Sequence, residues 1–195
     1  VSIGTWFAFF LFIEHTGERA LAVSNIVRNI SGLVWMMLMA FASTGSTMVS
    51  NAVGSGDSAL VRPLVRRVLR FSYSVILPLL VLVSVFPELF IRIYTDIPSL
   101  VGASVPSVWV LCASYLLTIP AFVYFEAVSG TGNTKSAFAL ELVALGVYVA
   151  YCAVVIEWLR CDVAVCWTAE AAYAIVMVLC CGIYLRSGRW RGREI

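Results

Sequence analysis

Residues 20–56, ALAVSNIVRNISGLVWMMLMAFASTGSTMVSNAVGSG, decide what kind of fold this chain can adopt. The middle of the stretch, residues 30–42, is almost wholly apolar, and with its flanks the stretch is long enough to cross a bilayer. Its first turns hold Asn25, Arg28 and Asn29, whose spacing of three and four residues puts them on one helical face. An arginine at membrane depth costs at least about 2.5–3.5 kcal/mol on insertion scales, so we expect this face to meet a protein interior or a wet cavity. The stretch therefore predicts a membrane helix in a polytopic bundle around a solvated pathway.

The composition is that of an integral membrane protein. Of the 195 residues, 62% are hydrophobic and 12% are charged, against about 45–50% and about 25% in soluble domains. The net charge of +2 does not indicate nucleic-acid binding, because the basic residues are divided among short loops and a tail. The six cysteines match no zinc or haem spacing, so we interpret them as small packing residues and expect no metal or cofactor.

Six hydrophobic segments predict an all-α bundle of six spans. About 20 residues at about 1.5 Å each are needed to cross about 30 Å of hydrocarbon. The first segment is shorter than this, so we expect it to be the second half of a helix whose start is missing. The predicted spans are about 1–14, 20–53, 68–86, 99–128, 136–156 and 163–185. A basic amphipathic helix at the membrane surface is predicted over about 58–67. Residues 1–186 form the predicted bundle, and residues 187–195 a basic, exposed cytoplasmic tail.

The distribution of Lys and Arg predicts the orientation. The loops on the side of the C-terminus hold nine of these residues, and the opposite loops hold three. This positive-inside bias predicts a cytoplasmic C-terminus and a cytoplasmic start of the truncated first span. We expect the protein to lie in the lipid bilayer of a bacterial plasma (inner) membrane.

Ionisable residues inside the membrane are functional candidates because they are costly to keep there. Arg28, with Asn25 and Asn29, could line a pathway, bind an anionic group, or pair with Glu14 or another carboxylate. Glu14 itself lies at the end of the first helix, where it either anchors a solvated loop or belongs to the pathway.

Two further carboxyl groups lie within predicted spans. Glu141 follows Lys135 by six residues, and Glu170 lies about a third of the way into the last helix. A carboxyl group in a low-dielectric site favours its protonated form and could exchange a proton as access to the site alternates. The alternative is a carboxyl group neutralised by a hydrogen bond to a neighbouring helix. No nucleophile and base occur together, so we expect no enzymatic activity.

Two glycine-rich turns resemble those of a known family. The long second helix ends in SNAVGSGD (residues 50–57) and is followed by a basic segment. This looks like the multidrug and toxic compound extrusion (MATE) family, whose corresponding cytoplasmic turn often reads G-x-G-D. The stretch FEAVSGTGNTK (residues 125–135) resembles the turn after the tenth helix of that family. Spacing and span count match helices seven to twelve, the C-terminal half.

The resemblance implies a twelve-helix, two-lobed secondary active antiporter that exports drugs or metabolites in exchange for H⁺ or Na⁺. This chain would be one lobe, and its partners would be the missing N-terminal lobe and a small-molecule substrate. Family members with a cation site in this lobe use an early carboxylate in helix seven and an Asp in helix ten. The register of that Asp falls near Thr118, which is no carboxylate but is kept as a pathway candidate.

Two other functions compete with the antiporter. A lipid-linked precursor flippase of the same superfamily would carry several cations in a central cavity, whereas this chain has one deep cation, Arg28. A membrane enzyme or a non-transporting membrane scaffold is the other alternative. A scaffold would not need Arg28, Glu141 and Glu170 at membrane depth.

Overall fold

A computed structural model describes residues 2–188 and 190, and this part of the chain folds into helices with no strand. The helices are α1 (Ser2–Glu14), α2 (Glu18–Gly54), α3 (Val61–Val85), α4 (Pro87–Ile91), α5 (Pro98–Gly130), α6 (Thr134–Cys152), α7 (Val163–Cys166) and α8 (Thr168–Ser187). A 3₁₀ turn, Ser58–Leu60, precedes α3, and a π-helical turn, Ala153–Trp158, extends α6.

Five helical segments in the described residues are long and apolar enough to cross a membrane. They are Glu18–Gly54, Ser58–Val85, Pro98–Gly130, Thr134–Trp158 and Val163–Ser187. The 13 residues of α1 are too few to span the bilayer alone, as the sequence predicted. The predicted all-α membrane bundle is therefore confirmed.

Helix α5 is the centre of the bundle, with α2 along one side and α8 along another. Gly130, at the end of α5, allows the closest approach to α2, because a Cβ atom there would overlap the backbone carbonyl of Ser46. Gly45 plays a similar part between α2 and α3, since its added Cβ would lie 3.1 Å from a methyl group of Val68. Small residues at such crossings let membrane helices gain dispersion contacts that lipid tails would otherwise supply.

The two glycine-rich turns share one backbone conformation. Gly56 and Gly132 both adopt a φ of 79°, in the left-handed region that favours glycine. After Gly132, the side chain of Asn133 accepts a hydrogen bond from the backbone nitrogen of Ser136 (3.2 Å) and so caps α6. The amide nitrogen of Asn133 also donates to the hydroxyl of Tyr184 on α8 (2.6 Å). The second turn therefore joins α6 to α8 as well as ending α5.

The basic segment differs from its prediction. The sequence predicted a surface helix over 58–67 and a separate span over 68–86, but α3 is one continuous helix from its first turn. The reason is that Val61, Val65 and Val68 begin a buried stripe that continues through Ile76 without a change of face. Pro63 lies in the first turn, where a missing N–H removes no helical hydrogen bond.

The predicted tail is described only in part. Gly188, at a φ of 69°, ends α8 in the left-handed conformation typical of helix C-termini. Trp190 is buried rather than exposed, and its indole nitrogen donates to the carbonyl of Leu185 (3.2 Å). Residues 189 and 191–195 lie outside the described residues, and so do the predicted exposed arginines among them.

Candidate functional site

Glu170 is one of the predicted pathway residues that the fold places between helices. It lies half-buried in the first turn of α8, seven residues into the segment Val163–Ser187. At about 1.5 Å per residue this is about 10 Å along the helix from the end of the segment. The hydroxyl of Tyr148, fully buried on α6, donates to Oε1 of Glu170 at 3.1 Å. The bond fixes the position of the carboxyl group and links α6 to α8.

Aromatic rings lead from Glu170 across the bundle to α2. Tyr148 and Tyr173 are in edge contact, with ring centroids 6.0 Å apart. Tyr173 lies 6.2 Å from Phe122 of α5, and Phe122 lies 4.5 Å from Trp35 of α2. Such pairs add about 0.5–1.5 kcal/mol each beyond their burial. This aromatic row, Tyr148–Tyr173–Phe122–Trp35, holds four helices together around the carboxyl group.

A buried polar pair joins α2 to α5. The hydroxyl groups of Ser31 and Tyr115 are 2.8 Å apart, and the tyrosine hydroxyl lies 3.0 Å from the carbonyl of Ser31. Both residues are buried. No local sequence pattern predicts this pair, because each residue lies in a long apolar run and the two are 84 residues apart. Their pairing is visible only once α2 and α5 are packed.

The predicted polar stripe of α2 lies on the open side of the bundle. Arg28 and Asn29 are exposed, and Asn25 is half-buried with its amide nitrogen bonded to the carbonyl of Leu21 (3.0 Å). The guanidinium of Arg28 lies 4.9 Å from the centroid of the Phe10 ring, a cation–π contact. The proposed pairing of Arg28 with Glu14 does not occur. In the described residues, Nδ1 of His15 lies 3.7 Å from Oε1 of Glu157.

The open side of α2 continues toward the glycine-rich turn. Beyond an apolar stretch that includes Met36 and Met37, exposed polar side chains recur every three or four residues; they are Ser43, Thr44, Thr47, Ser50 and Asn51. The hydroxyl of Thr44 donates to the carbonyl of Ala40 within its own helix (2.8 Å). A face with this many polar groups suits water or protein better than lipid tails.

The remaining predicted residues are divided between surface and interior. Glu14 is exposed at the end of α1, whereas Glu141 is buried on α6. Thr118 is buried and donates to the carbonyl of Ser114 (3.0 Å), so its hydroxyl is used by its own helix. The fold thus places Glu141 and Thr118 in the interior and leaves Glu14, Arg28 and Asn29 exposed.

A cavity of about 1050 Å³ opens at the end of the bundle where the α1–α2 connection meets residues 157–162. Its walls carry both signs of charge, from Arg19, Glu157, Arg160 and Asp162. The guanidinium of Arg19 donates to the carbonyl of Ser99 (3.3 Å), which joins the α1–α2 connection to the start of α5. The cavity therefore gives water and small solutes access to one end of the bundle.

Comparison with known proteins gives one match. The sequence model of the MatE family matches residues 4–154, which include α2 through α6 and most of α1. Glu170 lies beyond the matched residues. No curated protein and no solved structure matches the chain.

Proposed function

The chain belongs to the MatE family, and membership in this family indicates a transporter. From this premise we propose that the protein is a secondary active antiporter, which exports drugs or metabolites in exchange for H⁺. The observation that carries the proposal is the hydrogen bond between Tyr148 and Glu170 inside a membrane bundle. Family members are generally not enzymes, so we propose transport rather than catalysis.

Glu170 is the proposed proton carrier. A carboxyl group between packed membrane helices is costly unless it has a function or a partner, and it can take up a proton without other ligands. A bound Na⁺ would instead need several oxygen ligands, such as unwound carbonyls at broken helices. The described contact of Glu170 is a single phenol hydroxyl, which favours H⁺ over Na⁺ as the coupling ion.

The open side of α2 is the proposed substrate pathway. Arg28 and Asn29 supply polar groups at one end, and Ser43, Thr44 and Thr47 supply hydroxyls at the other. We propose that a second lobe faces this side across a solvated cavity, because these groups would be poorly accommodated by lipid. Arg28 is the one cationic residue between Ala20 and Gly54. A lipid-linked pyrophosphate would need more cations than this.

The proposed setting is the plasma membrane of a bacterium. The basic residues concentrate at the end that holds the start of α3 and the end of α8, which supports a cytoplasmic C-terminus. The wide cavity at the opposite end would then open to the outside, where an exported compound is released.

Transport in vesicles tests the proposal. The natural protein that contains this chain is reconstituted, a pH or Na⁺ gradient is imposed, and accumulation of a fluorescent organic cation such as ethidium is recorded. We expect accumulation driven by the pH gradient, and at least a tenfold loss of rate in Glu170→Gln. The matched control is Glu88→Gln, since Glu88 is exposed in the short α4.

Three outcomes would count against the proposal. Accumulation driven by Na⁺ alone would overturn proton coupling. Equal rates in Glu170→Gln and in the unmodified protein would remove Glu170 from coupling. Movement of a fluorescent lipid-linked sugar without a gradient would favour the flippase.

A further inference from the structure

A groove between α3 and α8 combines a charged end with apolar walls, and we propose that it binds an anionic phospholipid. Both helices pack on α5, and the space left between them has a volume of about 430 Å³. Tyr124 of α5 lies at its floor. We refer to this space as the α3–α8 groove. The inference concerns lipid binding and is independent of the proposed transport reaction.

Three arginines form the charged end of the α3–α8 groove. Arg62 and Arg66 lie one turn apart on α3, and Arg186 lies in the last turn of α8. The guanidinium of Arg62 donates to the backbone carbonyl of Arg186 (3.1 Å), which holds the two helix ends together. No carboxylate is among the described residues that line the groove. The concentrated positive charge at one end of the bundle favours a bound anion.

The walls beyond the arginines are apolar and open. Leu179 is 57% exposed and Ile183 is 67% exposed, although both lie within the segment Val163–Ser187 that can span a membrane. Leu69 of α3 forms the facing wall. From Val178 to Arg186 the apolar side of α8 extends about 12 Å, at about 1.5 Å per residue. An acyl chain that enters between the arginines would therefore meet only apolar side chains and the Tyr124 ring.

Gly182 keeps the middle of the groove open. A Cβ atom added there would meet the Tyr124 ring at 3.9 Å, which is ordinary contact distance, so a methyl group would fit but a larger side chain would occupy the groove. Glycine in a helix interior lowers helix stability relative to alanine by about 1 kcal/mol. A side chain larger than a methyl group at this position would therefore take up space that an acyl chain could fill.

The chemistry of the groove fits a phospholipid better than the other candidate occupants. A soluble phosphate ester would use only the arginines and leave the apolar walls without a partner. A second polypeptide would have to supply carboxylates in register with Arg62, Arg66 and Arg186. An anionic phospholipid supplies both parts at once, since its phosphate lies at the membrane surface directly above its acyl chains.

Binding measured in detergent tests the charged end. The protein is purified, stripped of lipid and titrated by native mass spectrometry with phosphatidylglycerol and phosphatidylethanolamine of identical acyl chains. We expect at least tenfold tighter binding of phosphatidylglycerol. Each guanidinium near the headgroup contributes about a fivefold change in affinity, so Arg62→Gln/Arg66→Gln should weaken phosphatidylglycerol binding by about 25-fold.

A matched pair on the same helix provides the control. Arg67 and Arg70 lie on α3 beside Phe71 but do not line the α3–α8 groove. Arg67→Gln/Arg70→Gln removes the same charge and should weaken binding by less than about fivefold in total. Equal losses in the two double variants would overturn the proposal, because the effect would then come from the general charge of α3.

Filling the groove tests the apolar walls without changing the charge. We expect Gly182→Leu to weaken phosphatidylglycerol binding at least tenfold, while soluble glycerol phosphate at millimolar concentration fails to displace the lipid from the unmodified protein. Displacement by glycerol phosphate would show a headgroup site alone and overturn the proposal. Equal binding of the two lipids would also overturn the proposal. A third contrary result is a measured mass of two chains for the unmodified protein and of one chain for Gly182→Leu, because the groove would then bind a second copy. If Gly182→Leu does not elute as a folded species, the arginine variants decide the question, since their side chains are exposed.

Discussion

The two sides of α2 differ in their contacts, although they belong to one helix. On the packed side, Ser31 pairs with Tyr115 and Gly45 lies against Val68, so side chains on other helices fix both positions. On the open side, Arg28 touches only the Phe10 ring in the described contacts, and Thr44 bonds its own helix. The packed side therefore determines how the bundle assembles. The open side carries polar side chains that the described helices leave exposed.

The largest effect is expected where α2 meets α5. Gly130→Leu would force a side chain into the Ser46 carbonyl, which neither backbone can avoid without shifting a helix. We expect a loss of about 3 kcal/mol in the free energy of unfolding, the upper end of the usual cost of overpacking. The measurement is unfolding in a denaturing detergent followed by circular dichroism.

The matched control for this prediction is Gly32→Leu, which changes a glycine of α2 itself. An added Cβ at Gly32 meets nothing within 4 Å, so we expect stability to be unchanged or slightly raised. If both leucine variants unfold alike, the contrast between the side of α2 that packs on α5 and its open positions would not hold.

A smaller effect is expected at the buried polar pair. Tyr115→Phe removes the hydroxyl that pairs with Ser31, and hydrogen bonds between membrane helices contribute about 0.6 kcal/mol on average and up to about 1.7. We expect the free energy of unfolding to fall by about 1 kcal/mol in the same assay. Tyr94→Phe, at an exposed tyrosine, should show no measurable change. A larger loss in Tyr94→Phe than in Tyr115→Phe would contradict the role of the pair.

The smallest effect on stability, and a large one on transport, is expected at Arg28. Because Arg28 is exposed and its described contact is one aromatic ring, Arg28→Ala should leave the unfolding curve and membrane insertion unchanged. Export in the vesicle assay should be abolished if the open side of α2 is the pathway. Arg92→Ala, at an exposed position after α4, should export normally. Unchanged export in Arg28→Ala would remove this residue from the mechanism.

Local sequence patterns predicted those features of the fold that depend on a few neighbouring residues. Hydrophobic run lengths predicted the membrane helices, and GSG and GTG predicted two turns in which Gly56 and Gly132 adopt positive φ. The same approach failed over residues 58–67, because arginines on the exposed side suggested a surface helix. The buried valines of α3 were the signal that a single helix continues.

For the candidate site residues, the sequence predicted whether each lies within a membrane span but not which side chains surround it. Glu141 and Glu170 were predicted inside membrane spans, and both lie within them. Arg28 was expected to face a protein interior or a wet cavity, and the structure leaves it exposed on one side of α2. A helical face is readable from spacing, but which neighbour covers it depends on how helices far apart in sequence pack together.

The sequence by itself determined that this chain is a helical membrane protein of the MatE family, because apolar run length and turn glycines act within a few residues. Only the tertiary structure decided that Tyr148 forms a hydrogen bond with Glu170 and that Tyr115 forms one with Ser31. It also decided that three arginines from two helices lie at the same end of the α3–α8 groove. These partners are 22 to 124 residues apart along the chain. Contacts of that kind depend on the relative positions of whole helices, which no local pattern specifies.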